Sequence, residues 1–121
     1  MSFDGKNPFK VLRQTWRPGD FEVEVLSGAR TLTHKDAQHI KLDPGGASKT
    51  VILPAPRAGS WFWIFNGANA AEDLDLKQSN GTTALVSVNQ NESAIVFCEN
   101  DRADVGSVGW TLFAIVGIAL S

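Results

Sequence analysis

The most informative part of the sequence is Val51–Ala68, which reads VILPAPRAGSWFWIFNGA. Its centre, Trp61–Phe65, is apolar at every position. Successive side chains of a β-strand point to opposite faces, so a strand with one face in water should alternate apolar and polar residues. This strand does not alternate, which predicts that both of its faces are covered.

The size of the chain limits what could cover the second face. At 121 residues we expect one domain, which can bury a core but has little chain left for a further layer. The composition is 43% hydrophobic and 20% charged, with a formal net charge of −2, and it argues against bulk disorder and against a surface built for nucleic acid. The apolar segment Val108–Leu120 is too short to span a bilayer as a helix, so we expect no membrane partner either.

From Phe21 onward, short β-type segments are separated by turn residues. Asp43–Gly46 is a strong turn signal, and the dipeptides Asn66-Gly67 and Asn80-Gly81 favour tight hairpins. About eight short strands with such turns predict an all-β fold, an antiparallel β-sandwich or barrel. The predicted segments are Phe21–Val25, Gln38–Leu42, Ser48–Leu53, Trp61–Phe65, Glu72–Lys77, Thr82–Val88, Glu92–Cys98 and Val108–Ile118, with one short helical turn at Thr33–Asp36.

The last of these segments shares the two-faced character of the aromatic strand. Trp110 and Leu112 occupy one parity, while Phe113 and Ile115 occupy the other. A two-layer fold covers one face of each sheet, so the excess predicts burial against a further copy of the chain. The alternative is a central strand of a closed barrel under a lid. On the first interpretation, the subunit-interface residues are Trp61, Trp63, Phe65, Trp110 and Phe113.

Residues 1–20 differ from the β domain that we predict for residues 21–121. They are mildly basic and carry spaced apolar residues, which a purely solvated tail would not need. Two interpretations stay open: a terminal strand on its own body, or an N-terminal arm that becomes ordered on a partner. In the second, the contacts are made by Phe3, Phe9, Leu12, Arg13, Trp16 and Arg17.

Candidate catalytic and metal-binding residues are few. His34 and His39 lie near Asp36 and Asp43, but no further ligands follow a metal-site spacing. None of the serines lies in a nucleophile elbow. Cys98 is the only cysteine, and its apolar neighbours predict a buried core residue. We therefore expect no enzyme activity and no cofactor.

The run from Arg30 to Ala68 resembles the small β domain of tailed-phage virion proteins. The shared pattern is Thr-Leu-Thr, an Asp that opens a turn, a strand ending in Leu-Asp, a Gly-rich turn, Val-x-Leu-Pro-x-Pro, Ala-Gly and an aromatic strand. The matching positions are Thr31, Leu32, Thr33, Asp36, Leu42, Asp43, Gly45, Gly46, Val51, Leu53, Pro54, Pro56, Ala58, Gly59 and Phe62, and Gly109 and Trp110 in the last strand are similar as well.

The resemblance covers roughly residues 28–118, and its motifs are structural. It implies a homotrimer, most often a capsid decoration (cement) protein that binds the major capsid protein on the outside of a phage head. Such a protein is made in the host bacterial cytoplasm and ends on the capsid surface of the virion. The alternative is a tail or fibre module that binds a host-surface glycan, and a hydrolase using a surface acid is the least favoured class.

Overall fold

The computed structural model describes residues 21–99 and 109–117. Every regular element in this part of the chain is a β-strand, so the predicted all-β class is confirmed. The predicted arm at residues 1–20 lies outside the described residues. In chain order the strands are β1 (Phe21–Val25), β2 (Arg30–Thr31), β3 (His39–Asp43), β4 (Lys49–Ile52), β5 (Trp61–Asn66), β6 (Leu74–Lys77), β7 (Ala84–Val88), β8 (Glu92–Cys98) and β9 (Trp110–Gly117).

These strands form two sheets. The five-stranded sheet has the order β1-β3-β5-β8-β9, and the four-stranded sheet has the order β2-β4-β6-β7. From β1 to β6 the chain passes to the other sheet after every strand. Within β1–β6, strands of the same sheet run in the same direction. The pairs β1/β3, β3/β5, β2/β4 and β4/β6 are all parallel. From β1 to β6 the chain therefore winds as a superhelix, here called the coil, in which each turn adds one strand to each sheet.

The predicted antiparallel arrangement is wrong for this coil, and the loop after β5 shows why. Asn66-Gly67 does not close a hairpin, because the chain there leaves β5 and enters β6 of the other sheet. The buried Asn66 side chain donates to the carbonyls of Glu72 at 2.8 Å and Val88 at 2.9 Å, and it accepts the N–H of Ala68 at 2.8 Å. The asparagine thus holds a crossing loop in place.

The remaining pairs, β5/β8, β6/β7 and β8/β9, are antiparallel. Asn80-Gly81 joins β6 to β7 as predicted. Gly81 has a φ of 78°, a region that glycine enters without steric cost. The Asn80 Oδ1 accepts the N–H groups of Thr82 and Thr83, each at 2.9 Å, and so fixes the turn.

The inward side chains of both sheets form one hydrophobic core. Phe62 and Ile64 enter it from β5, and Cys98 enters it from β8, as predicted for the cysteine. The Cys98 Sγ accepts the backbone N–H of Arg57 at 3.2 Å. The other buried members are Leu26, Leu32, Ile40, Leu42, Val51, Leu53, Leu74, Leu76, Val88, Ala94, Val96 and Trp110.

A side-chain amide joins the two sheets where β6 ends and β9 begins. Gln78 is 5% exposed, and its Nε2 donates to the carbonyl of Trp110 at 2.7 Å. Its Oε1 accepts the N–H of Trp110 at 3.0 Å. The Trp110 indole Nε1 donates to the carbonyl of Pro54 at 2.8 Å, so this residue is fixed by both backbone and side chain.

An ion-pair cluster fastens the first turn of the coil. Arg30 donates from Nε to Glu24 Oε1 at 2.9 Å and from Nη2 to Asp36 Oδ1 at 2.8 Å. The hydrogen bond to Asp36 raises the pKa of Arg30. Burial would raise the pKa of Asp36, but hydrogen bonds from Arg30 and from Thr33 outweigh it and hold that pKa below its usual value. The predicted helical turn at Thr33–Asp36 is a single hydrogen-bonded turn, closed by Asp36 N–H donating to Thr33 O.

Candidate interaction surface

The outer face of the five-stranded sheet is apolar over most of its width. In β5, Phe62 and Ile64 point into the core and are buried. Trp61, Trp63 and Phe65 have the opposite parity, so they point outward and are only half-buried. The aromatic stretch therefore has one face in its own core and one face that the described residues leave partly open.

At one edge of this sheet, the outward residues of β1 form what we call the ridge: Phe21, Val23 and Val25. They are 48%, 66% and 67% exposed, respectively. The alternate residues, Glu22 and Glu24, point inward and are only half-buried.

Both inward glutamates have partners within the chain. Glu22 Oε1 accepts the N–H of Ala37 at 2.6 Å, and Glu24 Oε1 accepts from Arg30. Inward-pointing charges at an edge strand hinder pairing with a strand of another molecule. The face of β1 is therefore a better contact surface than its edge.

Near the other edge of the sheet lies what we call the hollow, an apolar depression of about 280 Å³ lined by Trp61, Ile95, Phe97 and Phe113. Its shape depends on an irregularity between β8 and β9. Ile95 pairs with Ala114 and Val96 pairs with Leu112, which leaves Phe113 as an extra residue. Phe113 is 74% exposed and stands at the rim of the hollow.

Between the ridge and the hollow, aromatic rings fix one another. His39 contacts Trp61 and Trp63 edge-on, with ring centroids 5.7 Å and 5.3 Å apart. Trp63 stacks on Phe65 at 5.0 Å, and its Nε1 donates to Ser93 Oγ at 2.9 Å. Because these rings are held before any partner arrives, contact with one would cost little side-chain entropy.

Two of the polar groups on this face, Lys41 and Asp43, lie on β3. Lys41 is exposed, and its aliphatic carbons lie across Gly67, where a Cβ would come within 2.8 Å of the Lys41 Cε. The methylenes thus add to the apolar surface while the ammonium group can reach water. The Asp43 Oδ1 accepts the N–H of Gly45 at 2.9 Å.

The outer face of the four-stranded sheet has a different character. Asp75 and Lys77 alternate with the buried Leu74 and Leu76 along β6. Ser87 on the neighbouring strand donates its hydroxyl to Asp75 at 2.6 Å. This polar surface suits contact with water, and the contrast between the two faces identifies the five-stranded sheet as the candidate interaction surface.

Four of the five interface residues predicted from the sequence lie together on that surface: Trp61, Trp63, Phe65 and Phe113. Trp110 does not join them. It is 2% exposed, belongs to the core of its own chain and packs at 5.7 Å from Phe62. The predicted arm contacts, from Phe3 to Arg17, lie outside the described residues.

Sequence reasoning missed several residues of the surface, namely Phe21, Val23, Val25, Ile95 and Phe97. The alternation FEVEV did indicate a one-sided edge strand, and β1 is an edge strand. The usual assignment points the apolar side of such a strand to the core, whereas here the glutamates point inward.

The histidines do not form a common site. His39 lies on the outer face, whereas His34 stacks on Trp110 at a centroid distance of 6.4 Å. His34 Nε2 donates to the carbonyl of Ala55 at 2.7 Å, and its Nδ1 lies 3.5 Å from Ser60 Oγ. These contacts join the loop before β3 to the loop before β5.

Asp36 is engaged by Arg30, and no group of three or more His, Cys, Asp or Glu residues in the described ranges could hold a metal ion. Within the same ranges, no helix is suited to crossing a membrane.

Comparison with known proteins finds no protein-family model that matches the chain and no curated protein whose sequence matches it.

Proposed function

We propose that the chain is a structural virion protein, a capsid decoration (cement) protein that binds the outside of a phage head as a homotrimer and stabilises it. The observation that carries this proposal is the contrast between the two sheets. The outer face of one is aromatic and apolar, and that of the other bears Asp75, Lys77 and Ser87. A chain with one such face needs a partner on that side and water on the other.

The function is then mechanical. A trimer seated where capsid subunits meet adds contacts across joints that are loaded by packaged DNA. Three individually modest contacts act together, because once one copy is bound, the others meet the shell at a high effective concentration. The resemblance of residues 28–118 to phage virion domains supports this assignment, and it is the argument that points to the major capsid protein as the second partner.

Residues 1–20 are the proposed attachment arm, on the basis of their sequence. They carry Lys6, Lys10, Arg13 and Arg17 against Asp4 and Asp20, together with spaced apolar residues. Ordering such a segment costs about 1–2 kcal/mol per residue for the backbone. Phe9, Leu12 and Trp16 would have to bury enough apolar surface on the capsid to offset that cost.

Co-sedimentation with undecorated capsids tests the proposal. We expect the full chain to sediment with capsids at saturating occupancy. Deletion of residues 1–17 should leave a folded trimer with a nearly unchanged melting temperature but greatly weakened attachment. A full chain that does not sediment with capsids contradicts the decoration function. A truncated chain that still binds at full occupancy contradicts the arm and assigns attachment to the β domain.

A tail or fibre module that binds a host-surface glycan is the second candidate, and the aromatic rings of His39, Trp61 and Trp63 favour it. Sugar rings stack on aromatic side chains that stay open to solvent, whereas decoration would bury these rings between chains. Quenching of tryptophan fluorescence by acrylamide distinguishes the two. Strong quenching of the assembled protein, lost on adding host glycan, would favour the glycan module.

A further inference from the structure

The ridge and the hollow lie near opposite edges of one rigid sheet, so no chain can fit its own ridge into its own hollow. The ridge projects from β1 with Phe21, Val23 and Val25, and the hollow is sunk between β5, β8 and β9. One is an exposed apolar projection and the other is an apolar depression. Residues 21–99 and 109–117 leave both of them open, and both would be covered if a second copy supplied the missing half.

We propose that the ridge of each copy docks into the hollow of the next, in a head-to-tail ring that closes after three copies. This inference rests on the trimer of the proposed function and adds which surfaces meet. Head-to-tail contacts use two different patches, and they form a closed ring when the rotation between copies permits it.

The width of the five-stranded sheet is consistent with an assembly of three copies around one axis. Neighbouring strands lie about 4.8 Å apart, so β1 and β9 of the five-stranded sheet are about 19 Å apart. If three such sheets form the sides of an equilateral triangle in cross-section, each sheet lies about 5.5 Å from the three-fold axis. Sheets packed face to face lie about 10 Å apart, which leaves about 5 Å for the side chains of each. Three sheets facing a common axis therefore fill a triangular prism with their outward side chains. Four would leave a central gap, because a square of the same side has its faces about 9.5 Å from the centre.

The strand registers place the two patches at the same height. Phe21 pairs with His39, His39 with Trp63, and Trp63 with Ile95, so these four residues form one row across the sheet. Ile95 is part of the hollow. In a prism whose axis runs along the strands, Phe21 of one copy therefore lies level with the hollow of its neighbour at each corner.

Side chains from the middle strands of the sheet would fill the interior of the prism. Trp63 and Phe65 point from β5 toward the axis, and their rings are already stacked. The extended hydrocarbon of Lys41 lies nearby over Gly67. The four-stranded sheets would then form the outside of the trimer, with their polar faces in water.

Complementation between two variants tests the arrangement. Phe21→Arg damages the ridge and leaves the residues of the hollow unchanged, and Phe113→Arg damages the hollow and leaves the residues of the ridge unchanged. Each variant alone should lose the trimer in light scattering at micromolar concentration while keeping the far-ultraviolet circular dichroism of the wild type. An equimolar mixture retains one undamaged ridge and one undamaged hollow, so it should form a heterodimer of twice the 13.1 kDa chain mass. The matched control is Thr50→Arg on the outer face of the other sheet, which should stay trimeric.

The outcomes separate this inference from the proposed function. A wild-type trimer whose two variants remain monomeric when mixed would overturn the ridge-to-hollow contact and leave the trimer standing. So would a Phe21→Arg or Phe113→Arg protein that stays trimeric. A wild-type monomer or dimer would overturn both. If Phe21→Arg or Phe113→Arg does not fold, Val23→Arg and Phe97→Arg probe the same two patches with the same expected masses.

Discussion

Gln78 offers the sharpest test of how the two sheets are joined. Its side chain satisfies both the N–H and the carbonyl of Trp110, and both residues are buried. Gln78→Ala removes the hydrogen-bond partners of the Trp110 N–H and of the Trp110 carbonyl at once. Leaving a buried donor or acceptor unpaired costs about 1–3 kcal/mol each, so we expect the free energy of unfolding to fall by about 2–6 kcal/mol.

Urea unfolding followed by tryptophan fluorescence measures this loss, at one fixed protein concentration because association contributes to apparent stability. Gln90→Ala is the matched control, since the Gln90 side chain makes a long bond of 3.5 Å to the carbonyl of Ala68 and no other within residues 21–99 and 109–117. We expect the control to change stability by less than about 0.5 kcal/mol. A Gln78→Ala loss no larger than that of the control would show that these two hydrogen bonds do not hold the sheets together.

A second substitution at the same position adds a signature that packing alone would not produce. Gln78→Glu keeps an acceptor for the N–H of Trp110 but sets a carboxylate against the carbonyl oxygen. The protonated acid can donate to that carbonyl, so the deficit relative to wild type should shrink as the pH falls. A deficit that stays constant with pH would show that the two hydrogen bonds are not what the glutamine supplies.

Two further predictions concern the core and the ion-pair cluster. Phe62→Ala should lower the free energy of unfolding by about 3–5 kcal/mol, because a buried aromatic ring is removed. Phe113→Ala should instead act mainly by weakening the proposed association between copies. Equal effects of the two substitutions in urea unfolding would contradict the assignment of faces. Asp36 has a folded-state pKa below its unfolded value of about 3.9, so its contribution is present above about pH 4 and is lost as the pH falls through the folded-state pKa. The stability difference between wild type and Asp36→Asn should therefore be constant from pH 5 to 7 and shrink below about pH 4, and a difference independent of pH would count against the Arg30 pairing.

The positions of the strands were predictable from local chemistry, and their pairing was not. Phe21–Val25 and Glu92–Cys98 are strands with the predicted bounds, because turn residues and apolar patterns are local signals. Whether Asn66-Gly67 closes a hairpin or crosses to the other sheet depends on distant partners such as Val88. The parallel coil was therefore invisible to a pattern that assumes neighbours in sequence are neighbours in a sheet.

The candidate surface was predictable in kind but not in every residue. The unbroken aromatic run correctly indicated that β5 has an apolar outer face. Trp110 and Phe113 were both predicted to lie at the subunit interface, although they differ in parity along β9. Simple alternation places Trp110 on the face opposite to Phe113, and Trp110 lies in the core. The orientation of Val23 depends on the partner of its neighbour Glu24, which is Arg30. That orientation has no local sequence signal.

We propose that copies of the chain cover the outer face of the five-stranded sheet in a trimer. Light scattering coupled to size-exclusion chromatography at micromolar concentration tests it most directly. We expect a single species of about 39 kDa, three times the 13.1 kDa chain mass, with Trp61 and Trp63 protected from acrylamide. A monodisperse 13.1 kDa species with an ordered β5 would show that no second copy is needed to cover this face.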